Sequence, residues 1–177
     1  LGLLFAGVLV LFSPDQTAAP IEKPSLTEQK PVSFEEKLER YQASFPEGNP
    51  LTEPYRAKSW VLETGLVEEN SEQFRIMECE STPNLNPKIC NRNYGCQAGM
   101  GLWGFIPSTW NETIVRMSKK GVWMPERCWQ FVYLPVSDRR TEVVFDAECN
   151  FLAGLWLYNE DGNKHWIKYS GHCFLED

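Results

Sequence analysis

Glu80 is a carboxylate whose helix neighbours would suit acid–base chemistry, although by its own type it reads as a solvated surface charge. The segment Asn70-Ser71-Glu72-Gln73-Phe74-Arg75-Ile76-Met77-Glu78-Cys79-Glu80 predicts a helix. Asn70 or Ser71 would cap it, because a side-chain oxygen there accepts from amides that the first turn leaves free. At about 100° per residue, Gln73, Ile76, Met77 and Glu80 share one face. A carboxyl that donates a proton near neutral pH must keep that proton, and apolar neighbours such as Ile76 and Met77 disfavour its charged form. Glu78 lies about 200° around the helix and cannot face Glu80 as a pair. Arg75, one turn earlier, offers Glu78 an ordinary surface ion pair. The other carboxylates of interest, Asp146 and Glu148, read as helix-surface charges, with a catalytic role as the alternative.

The six cysteines, Cys79, Cys90, Cys96, Cys128, Cys149 and Cys173, raise the choice between disulfides and zinc. Zinc sites draw on paired Cys-x-x-Cys or His-x-x-x-His ligands. This chain has no Cys-x-x-Cys, and its two histidines are His165 and His172. Three disulfides and no metal are therefore expected, in an oxidising compartment. Residues 1–12 form an uncharged apolar run (LGLLFAGVLVLF) without an initiator Met, and a longer apolar stretch is expected upstream. Twelve residues are too few to span a bilayer but suit the centre of a signal peptide. Residues 1–19 are read as a signal peptide or an uncleaved membrane anchor, with Thr17-Ala18-Ala19 like a cleavage site and Pro20 unfavourable to cleavage. Either way the chain is expected to be exported. Its net charge of −7, with no basic run, argues against nucleic-acid binding. The 42% apolar and 13% aromatic content is enough for a packed core.

The elements that must position Glu80 follow from local signals. Residues 20–54 carry six prolines (Pro20, Pro24, Pro31, Pro46, Pro50 and Pro54) among polar residues and read as an extended linker, interrupted by a short helix over 34–41. The globular part is expected at 55–177, with its core at about 70–175, and residues 55–69 read as an introductory helix broken at Gly65. After Glu80, residues 82–105 are rich in Asn and Gly and leave room for a small hairpin only. Pro107 opens a second helix that aligns Trp110, Ile114 and Met117 and closes at Lys119-Lys120-Gly121. A third, from about 141 to 158, is apolar around most of its girth and should be the central helix, stopped by Asp161-Gly162-Asn163. The class is mainly α, with a small loop or hairpin lobe between the first two helices.

Three blocks in order resemble one family: Glu78-Cys79-Glu80-Ser81 with Asn84 and Asn86-Pro87; Gly99-Met100-Gly101-Leu102-Trp103-Gly104-Phe105-Ile106-Pro107-Ser108-Thr109-Trp110; and Asn150-Phe151-Leu152-Ala153-Gly154 with Trp166, Ser170 and Cys173. Over roughly residues 70–175 they are similar to the lytic transglycosylase (SLT-type) and resuscitation-promoting-factor domains of the lysozyme-like superfamily. The resemblance implies an α+β lysozyme-like fold and cleavage of the β-1,4 bond between N-acetylmuramic acid and N-acetylglucosamine in peptidoglycan, by a monomer without cofactor. Glu80 falls on the family's catalytic glutamate. Ser81, Gly101, Leu102, Trp103, Thr109 and Asn150 fall on the substrate-binding segments. No Asp or Glu lies between Ser81 and Pro107, which fits the family's single-glutamate route to a 1,6-anhydromuramyl product; a hydrolytic muramidase or an inactive glycan-binding module are the alternatives. A small disulfide-rich interaction domain unrelated to lysozyme is a third. One departure is Gly104, where the family usually carries a sugar-holding Gln. Of fifteen possible cysteine pairings, the resemblance favours Cys79–Cys173, with Cys90–Cys96 at the hairpin tip and Cys128–Cys149 tying the insertion to the third helix.

Overall fold

Ser33 starts the first helix: its hydroxyl accepts from the Glu36 amide at 3.2 Å, and α1 spans Phe34–Ser44. The computed structural model describes residues 32–82, 84–89, 99–129 and 144–167. After α1 come a 3₁₀ turn (Pro54–Arg56) and α2 (Ala57–Glu63). Then follow α3 (Glu72–Ser81), α4 (Pro107–Lys120), α5 (Glu126–Trp129), α6 (Ala147–Asp161) and α7 (Lys164–Ile167). The protein is mainly helical, and the described residues contain no strand, only an isolated antiparallel bridge between Met100 and Phe105. No helix among them is long and apolar enough to cross a membrane. The readings of residues 1–19 and 20–31 lie outside the described residues.

The centre is α6, as its composition predicts. Asp146 caps it by accepting from the Cys149 amide at 3.0 Å, and every residue from Ala147 to Leu157 is buried. Each fully buried Leu, Phe or Trp of such a helix contributes about 1.5–3 kcal/mol through apolar burial. Phe151 meets the edge of Trp60 from α2 at 5.5 Å between ring centroids. On the opposite flank α4 packs alongside, with Arg116 and Lys120 lying over the ring of Trp156. The disulfide Cys128–Cys149 ties α5 to the first turn of α6 across a separation of 21 residues. Closing a loop of that length stabilises by roughly 3 kcal/mol in the chain-entropy account. Cys79 is disulfide-bonded too. The expected pairs Cys79–Cys173 and Cys90–Cys96 involve residues outside those described.

Two expectations need correction. The linker was placed at 20–54, but the compact unit begins at Val32. The reason is α1, whose Tyr41 is buried and donates its hydroxyl to Glu148 at 2.6 Å. Trp60 secures the following stretch by donating its indole N–H to the Asn49 carbonyl at 3.0 Å. The second correction is Glu148 itself, read as a helix-surface charge. It is fully buried. Its carboxylate accepts from Tyr41 and from the Asn49 amide at 2.8 Å, and pairs with Arg127, which also reaches Asp146 at 3.0 Å. A buried charge survives only when it is paired and hydrogen-bonded in this way. Burial, followed by the bond to Glu148, drives the Tyr41 phenol far above its ordinary pKa.

Candidate active site

Glu80 occupies the last turn of α3, a helix capped by Ser71, whose oxygen accepts from the Phe74 amide at 3.2 Å. Phe74, Ile76 and Met77 anchor the inner face of the helix in the core. Glu80 then projects to a pocket that it lines with Trp103, Gly104, Phe105, Ile106, Thr109, His165 and Trp166. Its Oε1 atom is shielded from solvent. Its Oε2 atom sits over Gly104, where a Cβ would fall on the carboxylate far inside van der Waals contact. The pocket measures about 40 Å³. A single water needs about 10–15 Å³ on this scale, so the pocket admits a few waters or one small polar group. A larger ligand must lie across its mouth.

The segment 99–105 is held against α6 by one side chain. Asn150, fully buried, accepts from the Trp103 amide at 3.1 Å and donates to the carbonyls of Val144 at 2.8 Å and Met100 at 3.3 Å. Reciprocal backbone bonds between Met100 and Phe105, 3.0 and 2.9 Å, close the turn. Gly101 packs directly on the Asn150 amide. Trp103 lies on Gly154 of α6, where a Cβ would strike the ring, and meets Trp166 at a tilt of 50°, 5.0 Å between ring centroids. Trp166 returns the contact by donating its N–H to the Trp103 carbonyl at 2.8 Å.

These contacts sort the residues expected at the site. Glu80, Trp103 and Thr109 meet at one pocket. Ser81, Gly101, Leu102 and Asn150 do not line it. Ser81 is buried and donates back to the Met77 carbonyl at 2.6 Å; Leu102 is a core residue. Asn150 spends its amide on backbone, so its role here is to shape the loop. Trp103, expected on a substrate-binding segment, is fully buried, because its ring fills the gap between α6 and α7; its Nε1–H has no hydrogen-bond partner among the described residues. Glu78 pairs with Lys58 of α2 at 2.9 Å instead of with Arg75, because α2 passes beside that face.

Two site residues escaped sequence reasoning. Gly104 stood out as a missing Gln, whereas the structure requires glycine there: φ is +62° and the Glu80 carboxylate leaves no room for a side chain. Gly104→Ala should destabilise the fold by about 1–3 kcal/mol through backbone strain and collision. In the Glu80→Ala background the same change should cost measurably less, since the colliding carboxylate is gone. Denaturant melts of the four proteins in this cycle decide the matter; strictly additive losses would show that Gly104 and Glu80 do not touch. His165 enters the sequence reading only among the residues weighed for zinc, because a lone histidine carries no spacing signal for a pocket. Its Nε2 lies 2.9 Å from Asp161 Oδ2, and Asp161 is gripped by Arg116 at 2.7 and 3.2 Å. The Arg116 guanidinium, with help from His165, holds the Asp161 carboxyl far below the usual carboxylate range.

Cys128, Asp146 and Cys149 have potential metal-binding atoms within 4.8 Å of one another, but both sulfurs are committed to their disulfide. Fold and pocket thus define a mainly helical, disulfide-bonded domain with a shielded glutamate in a small aromatic pocket. No protein-family model, no curated protein and no solved structure matches the chain.

Proposed function

We propose that the chain is an exported peptidoglycan-cleaving glycosidase of the lysozyme-like superfamily, acting on the β-1,4 bond between N-acetylmuramic acid and N-acetylglucosamine. The observation that carries this reading is the Glu80 carboxylate, held at the end of α3 over Gly104, with one oxygen shielded and aromatic walls around it. Such a group is suited to protonate a departing glycosidic oxygen at the mouth of the pocket. In the single-glutamate route the same carboxylate then takes a proton from the C6 hydroxyl of the muramyl residue as that oxygen attacks the anomeric carbon. The product is a 1,6-anhydromuramyl end. If water attacks instead, the product is a reducing end. The size of the pocket favours a glycan strand laid across its mouth, with only a small substituent entering. The proposal of export rests on the apolar run at residues 1–12 and the Pro-rich sequence after it.

The test is mass analysis of purified peptidoglycan incubated with the oxidised protein. Anhydro ends are expected; reducing ends would turn the reading to a hydrolytic muramidase. Glycan retained without any cleavage would leave an inactive binding module. Neither cleavage nor binding would remove the whole family of readings.

A further inference from the structure

We propose that His165 is a second catalytic residue of the Glu80 pocket, the base that takes the proton from the attacking hydroxyl. This inference rests on the glycosidase reading and divides between two side chains the acid and base tasks that a lone glutamate must perform in turn.

The geometry begins with α7. Trp166 anchors this short helix by its bond to the Trp103 carbonyl and by its tilted contact with the Trp103 ring. The preceding residue, His165, stands edge-on to Trp166 at 6.1 Å and lines the same pocket as Glu80. Its side chain is 31% exposed, so it is open to a ligand at the pocket mouth. One face of the imidazole is fixed. Nε2 meets Asp161 Oδ2 at 2.9 Å, and Asp161 is itself held by both terminal nitrogens of Arg116. An ionised carboxylate can only accept, so Nε2 must carry the hydrogen. That assigns the tautomer and leaves Nδ1 with its lone pair. Arg116, Asp161 and His165 therefore form a chain drawn from α4, α6 and α7, in which each group orients the next.

The ordinary alternative is a surface ion pair that caps the break between α6 and α7. Two features speak for more. Asp161 already has its cation in Arg116, so the histidine is not needed to neutralise it. And that histidine lines the same small pocket, of about 40 Å³, as Glu80. The step balances simply. The hydroxyl oxygen, of water or of the muramyl C6, forms a bond to the anomeric carbon and yields its proton to Nδ1. The bond from that carbon to the departing oxygen breaks, and its electron pair takes the proton of Glu80. His165 ends protonated and Glu80 ionised, and solvent exchange resets both.

The charged groups on the elements that meet at His165 are Asp161, its direct partner, and Glu160 of α6, Arg116 of α4, neighbouring Lys164 and, lining the same pocket, Glu80. The two titrations of the pair should give a bell-shaped pH profile for muropeptide release. His165→Gln should lower the rate by about 10²-fold or more and abolish one limb of the bell. Imidazole added to His165→Ala should restore activity in part, and should do nothing for Glu80→Gln. Asp161→Asn, which disturbs a positioning residue, should give a smaller loss with the limb shifted but present. The product, anhydro or reducing, tells which hydroxyl attacked. Both limbs intact in His165→Gln, at any rate, would overturn the proposal, as would a failure of imidazole to rescue folded His165→Ala. A wild-type protein that cleaves nothing overturns the glycosidase reading itself, and the role of His165 with it.

Discussion

Glu80→Gln should abolish nearly all muropeptide release while leaving the protein folded. The amide matches the carboxyl in size, so it fits over Gly104, but it has no proton to give to the departing oxygen. Removal of a positioned general acid costs about 10² to 10⁴ in rate. Initial rates on purified peptidoglycan measure this directly, with melting curves matched between variant and parent so that lost folding is not read as lost chemistry. Glu78→Gln is the control. Its carboxylate pairs with Lys58 beside α2 and does not line the pocket, and an exposed pair of this kind contributes only about 0.2–1 kcal/mol. It should stay within about threefold of the parent rate, well under the span of a general-acid loss. Wild-type turnover by Glu80→Gln, or a dead Glu78→Gln, would move the active centre elsewhere.

Glu148→Ala should be the most damaging substitution for stability. It strands three groups at once: the Arg127 guanidinium, the buried Tyr41 hydroxyl and the Asn49 amide. Breaking a buried ion pair by removing one partner costs about 3–5 kcal/mol. The lower end applies here, because Arg127 is 29% exposed and keeps Asp146 as a second partner. At roughly 3 °C per kcal/mol for a chain of this size, the melting temperature should fall by about 10 °C. The loss should be global, since the hub joins α1, α5 and α6. Replacing the surface partner Glu36, which meets Arg40 on the exposed face of α1, should change stability by less than about 0.5 kcal/mol. Calorimetry on the three proteins settles it; a drop under about 2 °C for Glu148→Ala would mean that the hub does not hold α1 to the domain.

These two glutamates mark what was legible in the chain and what was not. Sequence alone determined the local frame. Ser71 as a cap, Pro107 and Gly121 as the bounds of α4, and the all-round apolar α6 are all present, because capping and periodicity act within a few residues. It also put Glu80 at the end of its helix, and the pairing of Cys128 with Cys149 that the resemblance favours is the one the structure has. Tertiary structure decided the rest. A charge is buried or exposed according to what packs against it, and the partner of Glu148 is Tyr41, 107 residues away. No local pattern announces that. The same holds for α1, which the sequence marks as a short helix over 34–41 within linker and which joins the domain only because Tyr41 reaches the core. Gly104 reads as a lost binding residue until the carboxylate above it is seen, and Asn150 reads as a ligand contact until its amide is found bonded to three backbone groups. His165 came last, brought to the pocket only by the turn at Gly162 and the anchoring of Trp166, contacts that exist solely in three dimensions.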